Sequence, residues 1–276
     1  MRLFLAWAAA LSICLVGIFV LSNIGKNGRI PRNVSADAPI AFVGTSLTRN
    51  ATPINGMSHG KSSKRFALSS MSEHEILSIT EHLLSGGMLE LAMIELRPLA
   101  LDFDRASENP MAYVRSFFKS QRNHVNRGFW EILGGYPYSF EWEDPNFLKT
   151  GEEGYQAPPE LNLSAFEKNF PLRPKFPREI ERFKRLLEKA QSANIKLVFV
   201  DFPRAQSAMD RLGPKQLEAM DAHKKDFAAA FDIEIWTPAQ VWPDDHFIDH
   251  AHMSFKGRQR FMALFEEKVE SGQWME

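Results

Sequence analysis

The sequence predicts an α/β protein in which a parallel sheet is flanked by helices on both faces, preceded by one transmembrane helix. Three observations carry that expectation. Short apolar runs at residues 40–43, 89–96, 195–202 and 233–236 read as strands buried on both faces of a parallel sheet. Stretches with helical spacing separate them, and repeated strand-helix-strand order predicts right-handed crossovers. Ahead of all these, residues 3–21 contain no charged side chain.

That first stretch is nineteen residues long, and at about 1.5 Å rise each it just crosses roughly 30 Å of hydrocarbon. A cleaved signal peptide is the alternative, since Arg2 supplies a basic start. However, the run is longer than the usual 7 to 15 or so apolar residues, and no Ala-x-Ala site follows. Leu11-Ser12-Ile13-Cys14 superficially resembles a lipoprotein cleavage box, but Ile13 stands where a small residue is needed. Lys26, Arg29 and Arg32 follow the span and only Arg2 precedes it, a bias that by itself places the domain in the cytoplasm. The expected organisation is an anchor at 1–22, a Gly-, Pro- and Asn-containing linker at 23–38, and one domain at 39–276.

Within the domain, the run at 40–43 ends at Gly44. A second apolar piece, Phe66-Ala67-Leu68, leads to Ser69-Ser70. Ser72 and Glu75 have the spacing of a capping box, so a helix starts there, with Ile76, Ile79, Leu83 and Leu84 on its apolar side and Gly86-Gly87 after its end. The third strand finishes at Glu95, Leu96, Arg97 and Pro98. Residues 101–177 are rich in aromatics, Gly and Pro, and read as an insertion over the sheet's carboxyl edge. Its aromatics are read as a helical subdomain's core in preference to a sugar-stacking platform. Helices at 178–190 and 214–231 bracket the clearest strand, 195–202.

A net charge of -1 with both signs mixed gives no basic field, so no nucleic acid partner is expected. The chain's single cysteine, Cys14, lies in the first apolar run. No intramolecular disulfide, thiol chemistry or thiolate metal site is therefore available to the domain.

In open parallel sheets, ligands bind outside the carboxyl ends of the strands. Three polar clusters fall there: Gly44-Thr45-Ser46, Ser69-Ser70, and the segment Asp244-Asp245-His246-Phe247-Ile248-Asp249-His250-Ala251-His252. A serine after a strand is by itself an ordinary helix cap. Asp249 three residues before His252 is more specific, because a carboxylate there can accept the imidazole Nδ1 hydrogen and aim Nε2 at a nucleophile.

Together, the first strand ending in Gly44-Thr45-Ser46-Leu47 and the segment from Phe247 through Asp249 and His252 to Gly257 resemble the SGNH/GDSL hydrolase superfamily. In that superfamily the nucleophilic serine follows the first strand and an Asp-x-x-His pair lies near the end of the domain. The resemblance covers roughly residues 40–265. It implies an SGNH/flavodoxin-like three-layer sandwich, with Ser46 as nucleophile, His252 as general base and Asp249 as its orienting carboxylate. Gly44 is expected to permit the tight turn beneath the nucleophile, and Ser46 N–H to serve as one oxyanion donor. The family's second-block Gly is not evident, and Ser70 is its substitute. The third-block Asn is replaced by Glu95-Leu96-Arg97-Pro98, where Arg97 either supplies positive charge to an oxyanion or forms an ion pair with Glu95 or another acid.

These departures resemble divergent, membrane-anchored members that handle acyl groups on cell-envelope polysaccharides. The implied activity is a serine esterase or O-acyltransferase acting on acyl, including acetyl, esters of an envelope glycan or lipid-linked substrate. The implied partners are that substrate, the membrane through the N-terminal helix, and a membrane acyltransferase. No cofactor and no metal are implied, and the resemblance favours an extracytoplasmic, periplasmic domain against the charge bias. Two rivals stand. His246, Asp249, His250 and His252 lie close enough to suggest a metal site, though adjacent Asp249 and His250 cannot face one point on a regular element. A catalytically silent scaffold or binding protein for polysaccharide modification is the other.

Overall fold

The structure, a computed structural model, describes residues 2–27, 34, 37–58, 60–69, 71–103, 125, 129, 132, 140–157, 160–163 and 172–275. The chain divides into two compact units, residues 1–33 with 105–138, and residues 34–104 with 139–276. In the first, α1 (Arg2–Asn27) is one helix of 26 residues, about 39 Å long at 1.5 Å per residue. It continues through 23–27, the start of the stretch read as a linker. Its side chains are described without a break only from residue 10 to residue 25, so part of the expected span at 3–21 lies outside them. Among the described residues no helix is long and apolar enough to cross a membrane. Much of the expected insertion, most of 104–139 and all of 164–171, also lies outside the described residues.

The second unit is the α/β body. Its strands are β1 (Ile40–Gly44), β2 (Asn55–Ser58), β3 (Lys61–Ala67), β4 (Leu91–Glu95), β5 (Leu101–Phe103), β6 (Leu172–Pro174), β7 (Lys196–Val200), β8 (Arg204–Ala205), β9 (Glu234–Trp236) and β10 (Val241–Trp242). Six of them form one sheet in the order β2-β3-β1-β4-β7-β9. The expected wholly parallel sheet needs one correction: β2 runs antiparallel to β3 at the edge, while the other pairings are parallel. Asn55-Gly56-Met57-Ser58 has no apolar pattern, because an edge strand needs none, and the polar start of β3, Lys61 to Arg65, hid that strand's full length for the same reason.

The helices are α2 (Ser46–Ala51), α3 (Glu73–Leu83), α4 (Arg97–Ala100), α5 (Pro145–Lys149), α6 (Ile180–Ser192), α7 (Gln206–Met209), α8 (Pro214–Phe231) and α9 (Phe255–Glu270). The capping box is present: Ser72 accepts the Glu75 N–H, and the Glu75 carboxylate accepts the Ser72 N–H at 2.7 Å. Alternation along the strands sends side chains to two separate cores. On one face Phe42 meets Phe265 of α9 with ring centroids 5.0 Å apart, in a core shared with Met93, Val198, Val200 and Phe261. On the other, Phe199 meets Phe183 of α6 at 5.6 Å, and Phe183 meets Phe227 of α8 at 6.1 Å. Helices therefore cover both faces.

Register then fixes where chemistry can occur. Gly44 lies opposite Ala67, and Val43 opposite Ile94. The ends of β1, β3 and β4 are therefore level, and the turns that follow them open on one edge of the sheet.

Candidate active site

Ser46 is the first residue of α2, and Thr45 is its N-cap. A helix's first N–H groups have no acceptor within the helix, so Ser46 N–H sits beside its own hydroxyl as a donor. The turn is held from beneath by Glu95, a 1% exposed carboxyl group at the end of β4. Thr45 N–H donates to Glu95 Oε2 at 2.7 Å, Thr45 Oγ1 lies 2.8 Å from Oε1, and Thr48 Oγ1 lies 3.0 Å from Oε2. The Thr45 N–H is thereby committed and unavailable to an oxyanion.

Gly44 acts differently from the expectation. It does not have a positive φ, so the turn asks nothing unusual of its backbone. What it supplies is space: a Cβ there would lie 2.0 Å from Thr48 Oγ1 and 2.7 Å from Glu95, inside the network that holds the turn.

The other half of the site comes from the loop before α9. Asp249 Oδ1 accepts the N–H groups of Ala251 at 2.9 Å and His252 at 2.8 Å, and Oδ2 lies 2.7 Å from His252 Nδ1. His252 Nε2 lies 2.7 Å from Ser46 Oγ. The carboxylate can only accept, so Nδ1 carries the hydrogen and Nε2 is left to accept from the serine. Burial acts to raise the Asp249 carboxyl, but the hydrogen bonds and charge of His252 and the two N–H groups outweigh it and hold it well below the usual carboxylate range.

The loop is tied by a Phe247–Met253 bridge and by the Ser254 N–H donating to the His246 carbonyl at 2.8 Å. A Cβ on Gly257 would lie 2.2 Å from that same carbonyl oxygen, so the glycine lets α9 start directly under the loop.

The relay opens into a cleft of about 470 Å³ lined by Ser46, Arg49, Ser69, Asp144, Asn146, Lys149, Tyr155, Ile248, Asp249 and His252. Of the residues singled out in the sequence, the structure brings Ser46, Asp249 and His252 together, with Gly44 beneath them. Ser70 lies outside the described residues, while its neighbour Ser69 lines the cleft. Arg97 does not line it. Leu96, at φ -68° and ψ -36°, already leaves strand geometry, which parts Arg97 from the side that Glu95 faces. Glu95 is engaged by threonines where an Arg97 pair was the alternative, and the Arg97 charge bears instead on His250.

His250 itself is buried, and burial pushes it down to about 4 against the pull of Asp249, with Arg204, His252 and Arg97 lowering it further. His246 Nδ1 lies 2.8 Å from Asp245 Oδ1. Among the described residues no group of His, Cys, Asp and Glu is arranged to hold a metal ion.

Sequence reasoning missed Glu95 and Arg49 as site residues, and it did not place Asp144, Asn146, Lys149 and Tyr155 at the cleft. Arg49 had a signal, since it follows Ser46 by three positions and so shares a helix face with it. The 140–157 segment had none, because its placement depends on Glu143, which lies 3.0 Å from both Arg65 Nη1 and Arg258 Nη2.

The serine after the first strand, the Asp-x-x-His loop before the last helix and the helix-flanked sheet are the features through which the chain resembles the SGNH/GDSL superfamily. No family model matches the chain, and no curated protein does. Among the solved structures to which it is similar, three illustrate the low identity. One, described as an acylhydrolase from Bacteroides fragilis, is 10% identical, with 84% of this chain and 86% of that one covered and a TM-score of 0.39. A GDSL-like lipase from Bacteroides thetaiotaomicron is 13% identical, with 84% and 88% covered and a TM-score of 0.39. A protein described as a platelet activating factor from Streptococcus pneumonia is 12% identical, with 94% and 99% covered and a TM-score of 0.43. Likenesses this distant assign no residue and carry no activity.

Proposed function

We propose that the protein is a serine esterase or O-acyltransferase acting on acyl esters of a cell-envelope glycan or lipid-linked substrate. The observation that carries this reading is the unbroken relay from Asp249 through His252 to Ser46, with both links at 2.7 Å, opening on a cleft. Ser46 Oγ attacks the ester carbonyl carbon while His252 Nε2 takes its proton, and Asp249 stabilises the imidazolium that forms. Charge developing on the carbonyl oxygen is met by Ser46 N–H at the start of α2. As the tetrahedral intermediate collapses, the imidazolium protonates the departing alkoxide and leaves an acyl-serine. Water or a sugar hydroxyl, deprotonated by the same imidazole, then takes the acyl group, which makes the enzyme a hydrolase or a transferase.

Among the described residues only Ile248 of the cleft lining is aliphatic, which suits a short acyl group on a polar carrier better than a fatty chain. In α1 the side chains of Trp7, Ile13, Phe19 and Val16 are more than 60% exposed, and such apolar surface calls for a hydrocarbon surrounding. The helix accordingly serves as the membrane anchor, with the α/β body on the extracytoplasmic side and a membrane acyltransferase as the supplier of acyl groups.

The test uses the full chain in detergent micelles, reacted with a fluorophosphonate probe and with simple acetyl esters. Labelling located at Ser46 by mass spectrometry, lost in Ser46→Ala and weakened in His252→Ala, is the expected result. A folded protein that takes no label and releases no acetate would refute the esterase reading in favour of a silent scaffold. For the anchor, α1 should hold the chain in the membrane fraction through alkaline carbonate washing, and recovery in the supernatant would remove that part of the proposal.

A further inference from the structure

The cleft carries more positive charge than the proposed chemistry requires. Arg49 is held against it with a side chain only 8% exposed. Its Nη1 donates to Ser69 Oγ at 2.7 Å, its guanidinium stacks over Trp142 at 4.3 Å, and its Nη2 stops 3.6 Å from Asp144 Oδ2, beyond hydrogen-bond distance. A guanidinium has five N–H donors, so Arg49 is far from saturated by these partners.

Lys149 lines the same cleft on its exposed rim, and among the described residues its ammonium has no hydrogen-bond or ion-pair partner. Behind them, Arg65 and Arg258 share the carboxylate of Glu143, so among the described residues Glu143 and Asp144 are set against the guanidinium groups of Arg49, Arg65 and Arg258, and Lys149 adds its charge at the rim. Asp249 does not redress the balance, because its charge is committed to His252.

On the esterase reading above, we infer that the substrate carries an oxyanion, a carboxylate or a phosphate, beside its ester, and that Arg49 and Lys149 receive it while Ser46 faces the acyl group. Arg49 supplies the fixed donors, a planar fork suited to either anion. Lys149 supplies a mobile charge that follows the substrate at the rim and steers it in. Ser46 and Arg49 stand one helical turn apart on α2, about 5 Å, so the anion lies within a few bonds of the ester. An acylated uronic acid or an acylated sugar phosphate meets that requirement, and a neutral acylated sugar does not.

The experiment measures binding on full-length Ser46→Ala in detergent micelles, so that it reports whether or not the protein turns esters over. Three matched probes are titrated calorimetrically: an O-acetyl methyl glucoside, the corresponding glucuronide, and the corresponding 6-phosphate. At least one charged probe is expected to bind tenfold or more tightly than the neutral one. That preference should weaken as sodium chloride rises and fall to near unity on adding Lys149→Glu, an exposed substitution whose folding is checked by its melting curve. The tighter of the two charged probes identifies the anion. Dissociation constants within twofold of each other for all three probes, or a preference untouched by Lys149→Glu, would overturn the inference. Failure of the esterase reading is a separate result, seen only as loss of probe labelling in the chain that retains Ser46.

Discussion

His250 gives the structure a pH dependence that can be worked through. Its side chain is 6% exposed and 3.9 Å from Asp249, and burial brings it from about 6.5 to about 4. The folded protein therefore holds His250 neutral through the mildly acidic range, while the unfolded chain regains an ordinary imidazole and binds the proton more tightly. Because the folded-state value lies below the unfolded one, His250 has no effect on stability well above pH 6.5. It destabilises progressively as pH falls from 6.5 to 4, and the loss levels off below that. The shift of about 2.5 units corresponds to about 3 kcal/mol in full, of which about 2.5 kcal/mol is expressed between pH 7.5 and 4.5.

The assay is urea denaturation of the wild type and His250→Gln at half-unit steps over that interval, with the slope in denaturant checked for constancy. The substitution shifts the whole curve by some fixed amount, and the difference in steepness between the two proteins reports His250 together with its coupling to neighbouring charges. The wild type should lose about 2.5 kcal/mol more than the variant between the two ends. Parallel curves would rule the shift out, since they require an imidazole that titrates alike in both states.

Three further outcomes are expected. Glu95→Gln puts an N–H₂ group among donors that need acceptors. It should lower stability by about 2 kcal/mol or more and slow probe reaction at Ser46 at least tenfold; an unchanged labelling rate in the folded variant would reduce Glu95 to a structural residue. Asp249→Asn leaves the loop's backbone contacts possible but reverses the preferred imidazole tautomer, so ester turnover should fall by about 10³ to 10⁴, and loss of a carboxylate held by His252 and two N–H groups should lower the melting temperature as well. Gly257→Ala forces a methyl group against the His246 carbonyl oxygen, where backbone cannot yield. Its melting temperature should drop further than that of Gly44→Ala, whose added methyl meets the movable side chain of Thr48 first.

Much of this was legible in the sequence, for identifiable reasons. Strands buried on two faces have to be apolar throughout, so β1, β4 and β7 announced themselves, and Ser46 and the Asp249–His252 pair fell at the sheet edge where ligands bind. What resisted reading depends on long-range placement. Edge strand β2 has no buried pattern to display, and the use of Gly44 is visible only once Glu95 and Thr48 stand beside it. Glu95 itself carries a signal. A lone carboxyl closing the apolar strand Leu91-Ala92-Met93-Ile94 needs hydrogen-bond partners, and Thr45 and Thr48 provide them.

The clamp on α2 bears on how the protein is made. The carbonyl of Arg49 accepts from Arg65 at 2.7 Å and from Arg258 at 2.8 Å, and that of Asn50 from Arg258 at 3.0 Å. The short helix presenting Ser46 is thus secured at its far end by a residue 209 positions later in the chain, just as Ser46 meets an imidazole 206 positions away. A nascent chain emerging from the ribosome has the serine but neither the imidazole nor the clamp until almost its whole length is out. On the proposed function, reactivity at Ser46 waits for the end of synthesis, and a chain truncated before Asp249 keeps its first strand and serine but lacks the imidazole that would activate it.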